Sequence, residues 1–78
     1  MDKSFRDEEL FIDIGSRLKV LREAKGLKQR EMAEILGIQT RRYQRFEYGE
    51  VNMPLSMLVF FADFFNVTTD YLLGRENK

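Results

Sequence analysis

The stretch QREMAEILGIQTRRYQRF, from Gln29 to Phe46, decides the fold of this chain. Its pattern predicts two short helices that meet at Gly37, the second of which has three arginines. Gly37 suits the turn because a residue without a Cβ atom adopts a positive φ at little cost. Ala33 supplies a small side chain where the two helices cross at a steep angle. The stretch therefore predicts a helix-turn-helix, a motif whose second helix typically lies in the DNA major groove.

Apolar residues at helical spacing continue on both sides of this motif. They predict a first helix from Asp13, as its N-cap, to Lys25, and a fourth from Pro54 to Phe65. The motif helices are expected at Gln29–Leu36 and from Gln39 or Thr40 to Tyr48, and a short fifth helix at Asp70–Leu73, after a Thr68 or Thr69 cap. The predicted core face of the fourth helix consists of Leu55, Leu58, Phe61, Ala62 and Phe65. The fold class expected is all-α, a compact five-helix domain.

The composition indicates one small globular domain that is not an enzyme. The chain has 78 residues, 44% of them hydrophobic and 33% charged, and contains neither cysteine nor histidine. Without those two residue types, zinc sites and the common nucleophile–base pairs are not expected. We therefore predict no catalytic residues, no metal and no cofactor. The charged start MDKSFRDEEL and the lack of a run of about 18 apolar residues predict neither signal peptide nor membrane span, and the lack of cysteine fits a cytoplasmic protein.

Positive charge is concentrated in the middle of the chain, although the formal net charge of the whole chain is zero. Residues 17–45 contain nine Lys or Arg against three acids, whereas residues 1–16 and 46–78 each contain two bases and five acids. A basic centre between acidic flanks is typical of a surface that attracts nucleic acid. The competing interpretation is an ordinary solvated charged face. We divide the chain into an N-terminal arm (1–12), a helix-turn-helix domain (13–74) and a C-terminal tail (75–78).

Four groups of residues together resemble the phage-repressor and Cro family of helix-turn-helix domains, the xenobiotic-response-element type. They are IGSRLKVLREAKGL at 14–27, the Q-x-x-x-A-x-x-x-G frame at Gln29, Ala33 and Gly37, the R-x-E-x-G pattern at Arg45, Glu47 and Gly49, and ADFFNVTTDYLLG at 62–74. The resemblance covers about Ile14 to Gly74. It implies a lambda-repressor-like fold and a sequence-specific DNA-binding transcriptional regulator. For a bacterial or prophage protein of this type, we expect a repressor.

The same resemblance implies roles for individual residues. Base contacts are expected from Thr40, Arg41 and Arg45 at the start and one turn along the third helix. Phosphate contacts are expected from Gln29, Arg42 and Gln44, although Gln44 lies nearer the back of the helix and is either a rim contact or makes no contact. Lys28, where the chain departs from the family pattern, is also expected to contact phosphate because it adds a cation there. Arg22 and Glu47 match a structural ion pair that ties the first helix to the end of the third.

Three features depart from the family pattern. Lys28 replaces the usual Ser or Thr cap of the second helix, which costs ~1 kcal/mol of capping but adds a cation. Gln39 replaces the common Ser cap of the third helix. The loop EVNMP at 50–54 lacks the Lys or Arg that relatives often place there. Fewer phosphate contacts are therefore expected, which weakens the binding expected at a single half-site.

The fourth helix is too apolar for one buried stripe, because Met57, Phe60 and Phe64 form a second one. Three coverings are open: the N-terminal arm (Phe5, Leu10 and Phe11), a second copy of the chain, or a different protein. The family favours a homodimer that binds a near-palindromic operator on double-stranded DNA.

The sequence leaves two alternatives to a lone repressor open. One is the antitoxin component of a toxin–antitoxin pair, which also binds DNA but has a protein partner; an antirepressor is another possible partner. The second is a protein-interaction module with the same fold and no useful DNA affinity.

Overall fold

The computed structural model describes residues 7–76, which form five α-helices and no strand. The helices are α1 (Asp7–Ala24), α2 (Gln29–Leu36), α3 (Thr40–Tyr48), α4 (Leu55–Phe65) and α5 (Thr69–Leu73). The predicted all-α, five-helix architecture is confirmed. Between residues 7 and 76, none of the helices combines the length and apolarity that a bilayer span requires.

Within the described residues, α1 already includes Asp7, well before the predicted start after Asp13. Asp13 lies inside α1, so its predicted role as N-cap is wrong, and residues 7–12 are helical rather than a loose arm. Three acids, Asp7, Glu8 and Glu9, occupy the first turn. Negative charge there interacts favourably with the helix dipole, which explains the earlier start. Residues 1–6 of the predicted arm lie outside the described residues.

The turn between α2 and α3 has the conformation that the sequence predicts. Gly37 has a φ of 73°, in the left-handed region. The Gly37 N–H donates to the Glu34 carbonyl (3.1 Å) and the Ile38 N–H to the Ala33 carbonyl (3.0 Å). This pair of bonds is a Schellman motif, which satisfies the last carbonyls of α2. At the other end of α2, the Glu31 carboxylate accepts a hydrogen bond from the Lys28 backbone N–H (2.8 Å).

The helices enclose one core, to which each of the five contributes. Its buried apolar residues are Ile14, Leu18, Met32, Ala33, Tyr43, Phe46, Leu58, Phe61, Ala62, Phe65 and Leu72. Four of the five predicted inward residues of α4 are among them. The fifth, Leu55, is 79% exposed, so its predicted core position is wrong. Leu55 is the first residue of α4 and lies beyond the edge of the core, on the rim of a shallow apolar depression.

Gly15 allows α1 and α3 to approach each other closely. A Cβ atom added to Gly15 would lie 2.2 Å from the Glu47 carbonyl oxygen and 2.7 Å from that of Phe46. Both atoms are backbone atoms near the end of α3 and cannot rotate away. The glycine therefore fixes α3 against the body of the domain, and this contact orients the outer face of α3.

Candidate nucleic-acid interface

The two faces of α3 differ completely in character. Tyr43, Phe46 and Glu47 are buried on the inner face. Arg41 and Arg45 are exposed, one turn apart, on the opposite side. The helical periodicity that buries the first set places the two arginines at the centre of the outer face. The structure thus presents both predicted base-contacting arginines to solvent on one surface.

Arg42 lies on the flank of the same helix. Its guanidinium carbon is 5.7 Å from the centre of the Phe46 ring, within the range of a cation–π contact. Together with Val51 and Asn52 of the following loop, these two residues line an open depression of about 460 Å³, which Arg41 and Arg45 also border. The stacking holds Arg42 to one side of the outer face, which suits the flanking phosphate role predicted for it.

The other predicted contacts lie at the N-terminal ends of α2 and α3. Thr40 is the first residue of α3 and is half-buried, and Gln29 is the first residue of α2 and is also half-buried. Lys28 is exposed immediately before α2. Free backbone N–H groups at a helix N-terminus attract anions, so these positions are compatible with phosphate contact.

Behind this surface, Arg22 and Glu47 form a buried ion pair. The Arg22 Nε–Glu47 Oε2 distance is 2.5 Å, and the Glu47 side chain is completely inaccessible to solvent. A second guanidinium nitrogen, Nη2, lies 3.3 Å from Oε1, and Nη1 donates to the Leu27 carbonyl at 2.7 Å. The guanidinium group of Arg22 therefore connects α1 to both the end of α3 and the loop before α2.

Two further donors complete the shell of the Glu47 carboxylate. The Tyr43 hydroxyl donates to Oε2 at 2.6 Å, and the Gln29 amide donates to Oε1 at 3.0 Å. Gln29 in turn accepts a hydrogen bond from the Gln44 amide at 3.0 Å. Among the described residues, no buried side-chain nitrogen or oxygen lacks a partner. The network connects the buried ion pair to the edge of the outer face of α3.

This environment shifts the pKa of two members of the network. The hydrogen bond to Glu47 raises the pKa of Arg22, which stays protonated. Burial is the largest cause of a raised pKa for Tyr43, and the hydrogen bond and negative charge of Glu47 add to it. Both groups therefore keep their protons and remain donors to the carboxylate.

Sequence reasoning missed several residues of this region. Tyr48 is 53% exposed on the outer face of α3, and with Glu50 it borders a second depression next to Arg41, Gln44 and Arg45. Its helical spacing from Arg41 and Arg45 was a usable signal. The bond from Gln29 to Glu47 had no such signal, because the two residues are 18 positions apart and on different helices.

The second stripe of α4 is partly covered within the chain. Met57, Phe60 and Phe64 are half-buried. The rings of Phe60 and Phe64 stack with centres 5.7 Å apart, and Lys25 Nζ lies 5.4 Å from the centre of the Phe64 ring.

The predicted covering of this stripe by the arm receives no support from its described part. Leu10 and Phe11 line a different depression, with Leu55 and Leu58. Phe5, the third residue of that prediction, lies outside the described residues.

Comparison with known proteins agrees with this geometry. The family described as Helix-turn-helix matches residues 18–72. Over 59 residues the chain is 39% identical to the SPbeta prophage-derived uncharacterized HTH-type transcriptional regulator YonR of Bacillus subtilis (strain 168), covering 76% of this chain and 55% of that protein.

Two more regulators from the same organism are similar. HTH-type transcriptional regulator AnsR is 39% identical over 62 residues (80% of this chain, 53% of AnsR). HTH-type transcriptional regulator ImmR is 34% identical over 65 residues (83% of this chain, 51% of ImmR). The chain thus spans about half the length of these curated relatives.

The family match begins within α1, ends within α5, and includes both helices of the motif with the arginines on α3. The chain therefore belongs to the helix-turn-helix family of the phage-repressor and Cro type.

Proposed function

We propose that this protein is a sequence-specific DNA-binding transcriptional regulator that acts as a repressor. One observation supports this most directly: Arg41 and Arg45 project from the outer face of a helix whose inner face is locked into the core. A rigid helix with exposed arginines is the arrangement that reads base edges in the major groove. The three relatives are named as transcriptional regulators.

The roles of the residues follow from their places on the surface. Arg41 and Arg45 each donate to guanine O6 and N7, and Thr40 contacts a neighbouring base edge. Each such bidentate contact is worth ~1–3 kcal/mol of discrimination. Lys28, Gln29 and Arg42 flank the bases and bind phosphate oxygens, which fixes the register of α3 on the duplex.

Binding as a homodimer supplies the rest of the affinity. A two-fold dimer presents its recognition helices one helical turn of DNA apart, about 34 Å, and so binds a near-palindromic operator. The apolar stripe Met57, Phe60 and Phe64 on α4 is the proposed contact between the two copies. A dimer seated on a promoter represses transcription because it blocks access of the polymerase.

Selection from a randomised duplex library at near-physiological salt tests this proposal. The expected result is enrichment of a symmetric site whose half-sites are centred about one helical turn apart. Retention of DNA without any enriched sequence, together with binding that disappears as salt rises, would contradict it. The protein would then be a general polyanion binder or an interaction module.

A further inference from the structure

We propose that Gln44 reads an adenine of the operator, and that the buried carboxylate of Glu47 sets the orientation of the Gln44 amide through Gln29. The inference rests on the proposed function, because it assigns a base preference to the same face of α3. It replaces the phosphate contact that the sequence predicts for Gln44.

The orientation begins at Glu47. Both oxygens of the Glu47 carboxylate accept hydrogen bonds from Arg22, one from Nε and one from Nη2. A neighbouring amide must therefore turn its NH2 group, not its oxygen, toward it. Gln29 does so, with Nε2 at 3.0 Å from Glu47 Oε1. The usual ambiguity between the oxygen and nitrogen of a glutamine amide is thus removed for Gln29.

The orientation of Gln29 then dictates that of Gln44. With its NH2 group directed at Glu47, Gln29 presents its oxygen to α3, where it accepts from Gln44 Nε2 at 3.0 Å. A reversed Gln44 amide would place two oxygens against each other. Gln44 therefore donates one N–H to Gln29, and its oxygen and second N–H have no hydrogen-bond partner among residues 7–76.

The available atoms of Gln44 match one base. Gln44 borders the depression at the outer face of α3 that Arg41, Arg45 and Tyr48 also line. One acceptor and one donor on a single planar amide complement the N6 amine and N7 of adenine in the major groove. Guanine offers two acceptors at the same edge and would oppose the Gln44 oxygen.

Both amides are fixed before DNA arrives. Gln44 is half-buried and hydrogen-bonded, so it loses less side-chain entropy on binding than a free surface glutamine would. Glu47 and Gln29 are positioning residues, and Gln44 alone touches the base. The selectivity for adenine therefore depends on all three residues, although neither Glu47 nor Gln29 contacts the base.

Repeating the duplex-library selection with the variants Gln44→Ala and Gln29→Ala provides the first test. Both variants are expected to lose the preference for adenine at one and the same position of each half-site, with the guanine positions retained. Gln39→Ala is the matched control, because Gln39 is an exposed glutamine at the start of α3 outside the network; it should keep that adenine. Thermal unfolding of each variant separates this effect from loss of fold.

A second test uses the selected site with 7-deazaadenine at that position, which removes only the N7 acceptor. Wild-type binding is expected to fall about fivefold or more, whereas Gln44→Ala should bind the two duplexes equally. Specific binding by the wild type that is indifferent to every adenine, or an adenine preference that persists in Gln44→Ala, would overturn the inference and leave the proposed function standing. Failure of the wild type to select any site would overturn both.

Discussion

At the scale of single residues, the most unusual feature is a fully buried carboxylate in a very small core. Glu47 has no solvent-accessible side-chain surface, and each of its two oxygens receives two donors. Removing a carboxylate from water costs several kcal/mol, which only a complete set of donors offsets. The stability of the domain therefore depends on every partner of Glu47, and Arg22 is the partner with opposite charge.

Arg22→Ala is expected to lower the free energy of unfolding by about 3–5 kcal/mol, because it leaves the Glu47 charge buried and unpaired. Urea denaturation measures the loss directly. Arg30→Ala, which removes an exposed arginine of α2, should change stability by less than about 0.5 kcal/mol. The double variant Arg22→Met with Glu47→Leu should recover much of the loss; a double variant as unstable as Arg22→Ala would show that burial of the charge is not the cause.

The raised pKa of Tyr43 predicts how the stability of the domain depends on pH. The pKa of Tyr43 in the folded protein is raised above the ordinary value near 10, chiefly by burial. Above pH 10 the unfolded chain loses this proton while the folded chain keeps it, so the unfolded state is favoured as pH rises. The contribution of Tyr43 is thus fully present below pH 10 and is lost above it, by roughly 1.4 kcal/mol per pH unit.

Two variants test whether the Tyr43 hydroxyl causes this pH dependence of stability. Tyr43→Phe should be less stable than wild type at pH 7, by about 1 kcal/mol for the lost hydrogen bond, but should show a shallower decline between pH 10 and 11. Tyr48→Phe, at an exposed tyrosine, should decline as steeply as wild type. Equal slopes for wild type and Tyr43→Phe would show that the buried hydroxyl does not contribute.

At the scale of helices, glycines serve two different purposes. Gly15 provides space, since an added Cβ would collide with the backbone of α3. Gly37 provides a left-handed conformation, and its own added Cβ would meet no atom within 4 Å. A side chain at position 15 would therefore clash with backbone that cannot move aside, whereas a side chain at position 37 would only make the left-handed conformation less favourable.

Substitution of alanine at the two positions should therefore differ in effect. Gly15→Ala is expected to cost roughly 3 kcal/mol or more, because α1 and α3 must separate. Gly37→Ala should cost about 1–2 kcal/mol, the penalty for a left-handed residue with a Cβ. Denaturant midpoints of both variants test the order, and a larger loss for Gly37→Ala would be inconsistent with the close approach of α1 and α3.

The helices also show what sequence reasoning could and could not predict. The bounds predicted for α2 and for the ends of α3 and α4 match because glycine, proline or a change of polarity marks each of them. The start of α1 was misplaced because Asp13 resembles an N-cap, although the acids at 7–9 were a readable signal. Leu55 was misplaced because helical periodicity gives a direction and not the extent of the core. The bonds of Gln29 depend on side-chain rotamers and on the packing of α2 against α3, which periodicity does not contain.

At the scale of the whole molecule, charge and apolar surface point to two separate surfaces. The basic centre of the sequence supplies the arginines of α3, while α4 has apolar side chains on both edges of its buried face. One edge has the half-buried Met57, Phe60 and Phe64, and the opposite edge has the exposed Leu55 and Val59. The proposed dimer uses the first edge.

Lysine substitutions on the two edges distinguish them. Met57→Lys is expected to weaken dimerisation by about tenfold or more, because it places a charge in the proposed interface. Val59→Lys, on the opposite edge of the same helix and 51% exposed, should leave dimerisation unchanged. Sedimentation equilibrium measures the dimer dissociation constant of each variant, and thermal unfolding checks that each variant is folded. The reverse pattern would assign the interface to Leu55 and Val59.

In the proposed function, α3 reads DNA sequence through Arg41 and Arg45. The most direct test is the ratio of the affinity for the selected operator to the affinity for a scrambled duplex, measured at near-physiological salt. The proteins compared are wild type, Arg41→Ala, Arg45→Ala and the control Arg75→Ala. Arg75 is an exposed arginine after α5. We predict that each α3 variant lowers this ratio by roughly tenfold or more while its unfolding midpoint is unchanged, and that Arg75→Ala keeps it. An unchanged ratio in both α3 variants would rule out base reading by these two arginines, because specificity would then reside elsewhere on the molecule.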